Sequence, residues 1–166
     1  MEGYLLDTNI LSVLMMPQHP KYAAVQNAVG SLDVSAPKYV SVIAIGELTF
    51  GQRLISVFTG QSPKVLAEKI KRAQTYPLLD VTKHTAAEYG ELKTILAKVH
   101  FASLQDKRPR WLENWVDKVT GQVLQVDEND LWMCAQARER NLVFVTTDAK
   151  MDRVSKADST VRLQFV

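Results

Sequence analysis

Four short apolar runs punctuate the chain, with longer stretches of helical hydrophobic spacing between them. The first run, Tyr4-Leu5-Leu6, has the continuous hydrophobicity of a strand buried in a parallel sheet. It passes straight into Asp7-Thr8-Asn9, polar turn chemistry ahead of the helix-like Ile10 to Met16. Pro17 and Pro20 disfavour a helical continuation, and a second helix runs from Lys21 to about Val29, ending at Gly30. Ala36 to Val40 reads as the second strand. Ser41 is then the N-cap of a helix from about Val42 to Phe58, which Ile43, Ile45, Leu48, Phe50 and Leu54 make apolar on more than one side. After Gly60-Gln61, Ser62 caps and Pro63 opens a further helix, with Lys64, Lys69, Lys71 and Arg72 expected on a solvated face. Leu78 to Val81 is the third strand, and Thr82 or Thr85 caps a helix reaching about Val99.

Residues 100–125 break this rhythm. Asp106-Lys107-Arg108-Pro109-Arg110 is a charged loop, and Trp111, Trp115 and Val119 fall on one helical face, so an extra amphipathic helix is expected there, its tryptophans packed on the parent domain. Regular order returns with Asp127, an N-cap whose helix holds Asp130 in its first turn, where the helix dipole favours negative charge. Asn141 suits a left-handed helix end. Leu142 to Val145 is the fourth strand, and it runs into Thr146-Thr147-Asp148 as the first runs into Asp7. Alternating strands and helices define an α/β class: three layers, α/β/α, around a mainly parallel sheet.

Composition adds little to that picture. The chain has 166 residues, 46% hydrophobic and 23% charged, enough for a proper core in one domain spanning 1–166 with an inserted helical segment at about 100–125. Its formal charge of +2 neither demands nor forbids nucleic acid, so the distribution of charge matters more. One cysteine, Cys134, precludes an internal disulfide and reads as a small buried residue. No signal-peptide layout and no apolar run of about twenty residues are found, which points to the cytoplasm and away from a membrane. His19, His84 and His100 lack metal-ligand spacing and receive no role.

Acidic residues carry the candidate chemistry. Ligands of open α/β sheets bind outside the carboxyl ends of the strands, where Asp7 is delivered, although a capping role would also explain an isolated Asp or Asn9 at such a turn. Glu47 lies inside an apolar helix and must be exposed, paired with a Lys or Arg, or holding a cation; Arg53 is not at a helpful spacing. Capping explains Asp127 without requiring Asp130.

Leu5-Leu6-Asp7-Thr8-Asn9, Ser41 followed by Glu47-Leu48-x-x-Gly51, Glu128-Asn129-Asp130-Leu131-Trp132 before an Ala-rich helix, and Val145-Thr146-Thr147-Asp148 together resemble the PIN-domain ribonucleases, most closely toxins of the VapC type from toxin–antitoxin pairs. The match follows the family's order over nearly the whole chain. The resemblance implies Asp7, Glu47, Asp130 and Asp148 as the acidic quartet that binds Mg2+ or Mn2+, supported by Thr8, Asn9 and Thr146. It also implies RNA as substrate, a cognate antitoxin as partner and a homodimer. The departure is the segment 100–125, longer than the usual Gly-containing link to the third acid, where Lys107, Arg108 and Arg110 are candidates for RNA phosphates. Two other readings are a housekeeping PIN nuclease in RNA processing and an inactive RNA- or protein-binding module, and the retained quartet weighs against the second. Converging carboxylates repel one another unless a cation lies among them, and oxygen donors without Cys or His suit a hard divalent ion.

Overall fold

The computed structural model describes residues 3–60, 63–100, 111–117 and 119–166. Five strands form one parallel sheet: β1 Tyr4–Leu6, β2 Lys38–Ser41, β3 Leu78–Leu79, β4 Val143–Thr146 and β5 Leu163–Phe165, in the order β3-β2-β1-β4-β5. The central pairings set Leu5 beside Tyr39 and Phe144, and Leu6 beside Val40 and Val145. Leu5, Leu6, Val40, Phe144 and Val145 are all fully buried, as expected of central strands covered on both faces.

Seven α-helices connect and cover the described strands: α1 Thr8–Leu14, α2 Tyr22–Ser31, α3 Val42–Thr59, α4 Pro63–Ala73, α5 Lys83–His100, α6 Glu128–Glu139 and α7 Asp152–Ala157. Their ends follow the capping chemistry of the sequence. Asp7 starts α1, Ser41 Oγ accepts from Ile43 N–H at 2.9 Å at the start of α3, and Thr82 Oγ1 accepts from His84 and Thr85 N–H before α5. Gly60 ends α3 in the left-handed region at φ 66°, where a side chain is disfavoured, and Asn141 takes φ 55° beyond α6.

Several expectations need correction. β3 has only two residues, because the chain turns away at Asp80 to reach Thr82. α2 continues one residue past Gly30, which has room and ordinary helical geometry there. The α7–β5 unit was not anticipated. α3 is long and apolar enough, by length and composition alone, to cross a membrane, but it buries Ala44, Leu48 and Gln52 against the domain and carries Glu47 midway. Ser62 lies outside the described residues, while Lys71 and Arg72 are exposed as expected.

The largest correction concerns the inserted segment. α5 extends to His100, but no amphipathic helix carries Trp111, Trp115 and Val119. Leu112–Asn114 forms a single 3-10 turn, Trp115 is extended, and Val116 bridges Val123 in antiparallel fashion. Trp115 is buried at 5% exposure while Trp111 and Val119 are 50% and 83% exposed, so the three share no face. Turn chemistry explains the difference: the Asp117 carboxylate accepts from the N–H groups of Val119 and Thr120, Gly121 takes φ 68°, and the chain folds back so that Leu124 N–H reaches Trp115 O at 2.6 Å. Buried His100, given no role from sequence, places Nδ1 3.4 Å from Asp117 Oδ2 beneath this turn.

Candidate active site at the carboxyl ends of the strands

Strand order reverses between β1 and β4, since the chain passes from β1 to β2 on one side and later returns to β4 on the other. A parallel sheet opens a crevice at such a point, outside the carboxyl ends of the strands. Asp7 follows β1, and Thr146 ends β4 two residues before Asp148. Thr146 Oγ1 donates to Asp7 Oδ2 at 2.6 Å and accepts from Asp148 N–H at 3.0 Å, so one buried hydroxyl ties the two strand ends together. Asp7 is 1% exposed and caps α1 through Asn9 N–H at 3.4 Å, with Asn9 Nδ2 at 3.5 Å from Oδ2. The Asp148 carboxylate accepts from Lys150 N–H at 2.9 Å and caps the 3-10 turn Ala149–Met151.

Glu47 reaches this crevice from α3. Thr8 Oγ1 donates to its Oε2 at 2.5 Å, and Asn129 Nδ2 donates to its Oε1 at 2.9 Å. Among the described residues no Lys, Arg or His forms an ion pair with it. The alternative of a structural salt bridge for Glu47 is therefore not what this geometry contains.

Asp130, in the first turn of α6, completes the group. No donor among the described residues reaches its carboxylate. Burial, reinforced by the charges of Asp7, Asp127, Glu47 and Asp148, pushes its pKa up to about 8. Asp7 is also raised, first by burial and further by Glu47, against the lowering effect of its Thr146 and Asn9 hydrogen bonds. Cys134, one turn along α6, is fully buried, and burial pushes its thiol well above the usual range. It is packed, not poised to react.

The four acids predicted from sequence thus converge within electrostatic reach of one another. Among the described residues no three Asp, Glu, His or Cys side chains stand close enough to clasp an ion in this arrangement. The donor set nevertheless fits a hard divalent cation: carboxylate oxygens throughout, with partly buried Asp130 lacking a donor among the described residues and crowded by like charge, a state that protonation or a cation relieves. Thr8, Asn9 and Thr146 all touch members of the quartet. Lys107, Arg108 and Arg110 lie outside the described residues. Sequence reasoning missed Asn129, whose only signal was adjacency to Asp130, and took Asp127 solely as the cap that it is, at 2.7 Å from Asn129 N–H.

The fold and site define a parallel, doubly wound α/β protein that gathers acidic side chains at its switch point. The chain belongs to the PIN-domain family, whose model matches residues 4–157. No curated protein matches it by sequence. Among solved structures it is similar in fold to VapBC2 from Rickettsia felis, solved bound to a DNA fragment from their promoter, with 20% identity over 98% of this chain and 97% of that one, TM-score 0.66. It is similar also to FitAcB from Neisseria gonorrhoeae, at 22% identity, 98% and 96% coverage and TM-score 0.63. VapBC-5 from Mycobacterium tuberculosis, a member of the VapBC family of toxin-antitoxin systems, shares 18% identity over 100% of each chain, TM-score 0.55.

Proposed function

We propose that this chain is a Mg2+- or Mn2+-dependent endoribonuclease and acts as the toxin of a toxin–antitoxin pair in the cytoplasm. The observation that carries the reading is the convergence of Asp7, Glu47, Asp130 and Asp148, with Asp130 partly buried, without a donor among the described residues, and its pKa pushed up to about 8. Those four carboxylates would hold the ion. Bound there, it supplies positive charge that polarises a phosphodiester and makes water more acidic. The chain's own residues do the rest: Thr146 holds Asp7 toward Asp148, Thr8 and Asn129 hold Glu47, and the walls of β1 and β4 keep the acids partly desolvated.

An antitoxin partner is supported by the complexes among the fold neighbours and by the surface of α3. Phe50, Leu54, Val57 and Phe58 form an exposed stripe at helical spacing, with Phe50 and Phe58 at 68% and 79% exposure, more apolar area than an isolated surface helix ordinarily leaves open. A homodimer is the companion expectation, measured by sedimentation. The decisive experiment incubates the purified chain with single-stranded RNA, with Mg2+, with Mn2+ and with chelator. Metal-dependent internal cleavage is expected, lost in Asp7→Asn and Asp130→Asn variants that remain folded. Equal cleavage in chelator, or undiminished cleavage by both variants, would overturn the assignment.

A further inference from the structure

Glu47 is the one member of the quartet delivered from the middle of a helix, and its carboxylate stands at the end of a side chain with three rotatable bonds. Nothing in α3 itself fixes where that carboxylate points. Two donors from outside α3 do. Thr8 Oγ1, adjacent to Asp7 at the start of α1, takes one oxygen, and Asn129 Nδ2, adjacent to Asp130 in the first turn of α6, takes the other. Each donor is the chain neighbour of another acid, so orienting Glu47 also fixes the spacing of the three elements that supply the site.

Resting on the metal-dependent reading above, we infer that Asn129 is a positioning residue: it holds Glu47 in the orientation in which it would accept a divalent cation. The chemistry leaves only one way for this contact to run. A carboxylate oxygen accepts, and the amide nitrogen of Asn129 is the atom that faces it, at 2.9 Å. Asn129 is itself held, because its backbone N–H is capped by the Asp127 carboxylate at 2.7 Å, which fixes the first turn of α6. Asp127 therefore holds Asn129, and Asn129 holds Glu47. Groups that orient a metal-ligating carboxylate without touching the ion control affinity strongly, and their loss weakens metal binding by about 10–100-fold.

The test measures Mn2+ affinity by electron paramagnetic resonance on the full chain, with circular dichroism as a check on folding. Asn129→Ala is expected to weaken Mn2+ binding about 10–100-fold and to lower kcat on RNA while leaving KM unchanged. Asn129→Leu, similar in size and without a donor, is expected to behave alike and covers the case in which Ala loosens the helix start. In a Glu47→Gln background, adding Asn129→Ala is expected to change Mn2+ affinity no further, because the residue acts through Glu47. Wild-type affinity in both Asn129 variants would overturn the inference, as would an equal loss in the Glu47→Gln background. Those failures leave the nuclease assignment standing, whereas a wild-type chain that binds no Mn2+ overturns both.

Discussion

Two regions meet at the start of α6, and they contribute to the fold in opposite ways. At the acidic end of the sheet, much of the order is local: Asp7 bonds Asn9, Asp127 bonds Asn129, Thr146 bonds Asp148 and Asp148 bonds Lys150, each pair two residues apart. The stretch formed by residues 111–117 and 119–126 has little regular structure: Asp117 builds its turn locally, and packing against the rest of the domain anchors it. Leu112, Trp115, Leu124 and Val126 are buried in the core, Lys93 Nζ lies 5.9 Å over the Trp115 ring, and Arg153 of α7 donates to the carbonyls of Val123 and Leu124. The first region gathers like charge and works against the fold. The second contributes buried apolar area and stabilises it.

Opposite signs on substitution would express that contrast most directly. Trp115→Ala removes a buried ring and is expected to cost about 3–5 kcal/mol, a fall of roughly 10 °C in melting temperature for a chain of this size. Asp130→Asn removes a partly buried carboxyl that must either hold a proton or face like charge, and in chelator near neutral pH it is expected to raise the melting temperature by several degrees. Calorimetry on both variants checks the pair. A destabilised Asp130→Asn, or a Trp115→Ala that melts like wild type, breaks the comparison.

pH sharpens the same point. Burial and the neighbouring acids push the Asp130 pKa up to about 8 from the ordinary 3.8, so between those limits the metal-free folded state holds a proton that the unfolded chain has lost. Unfolding then releases a proton, and stability falls as pH rises, by up to about 1.4 kcal/mol per pH unit. The contribution is fully present below the unfolded pKa and gone above the folded one. Denaturant titrations of metal-free protein from pH 4 to pH 8 are expected to show this decline, with Asp130→Asn flattening it and Mn2+ counteracting it at the upper end. A rising curve across that window contradicts the assigned environment.

The two regions also differ in how much of them could be read from sequence. Asp7 and Asp148 were legible because an apolar run ending in Asp specifies both a buried strand and the place where its carboxylate emerges. Glu47 was legible as an anomaly in an apolar helix. Of its two donors, Thr8 was legible as a supporting residue, but Asn129 was not, since it is 82 residues away in the chain and only the packing of α3 against α6 brings them together. The tryptophan stretch misled because Trp111, Trp115 and Val119 do have helical spacing, while the competing signal, Asp117 with Gly121 four residues on, was the one the fold obeys. β5 and α7 went unread because their apolar residues are few and interrupted by charge.

The smallest effect is expected from the basic residues that precede this stretch. On the proposed reading, an RNA substrate would bring a polyanion toward a site already lined with carboxylates, and a net charge of +2 leaves little long-range attraction to guide it. Lys107, Arg108 and Arg110 precede the tryptophan stretch in sequence, and on the proposed reading their charge would offset that repulsion at phosphates flanking the cut. Replacing Lys107, Arg108 and Arg110 together by Ala is expected to weaken RNA binding several-fold and to flatten its dependence on salt by up to about two units of logarithmic slope, since each lost phosphate contact releases fewer counterions. Mn2+ affinity is expected not to change if these cations serve the substrate alone. Fluorescence anisotropy across a salt series, with size-exclusion chromatography alongside, reads both quantities. An unchanged slope together with a smaller eluting species would make the basic run part of a subunit contact and route the RNA over another face of the cleft.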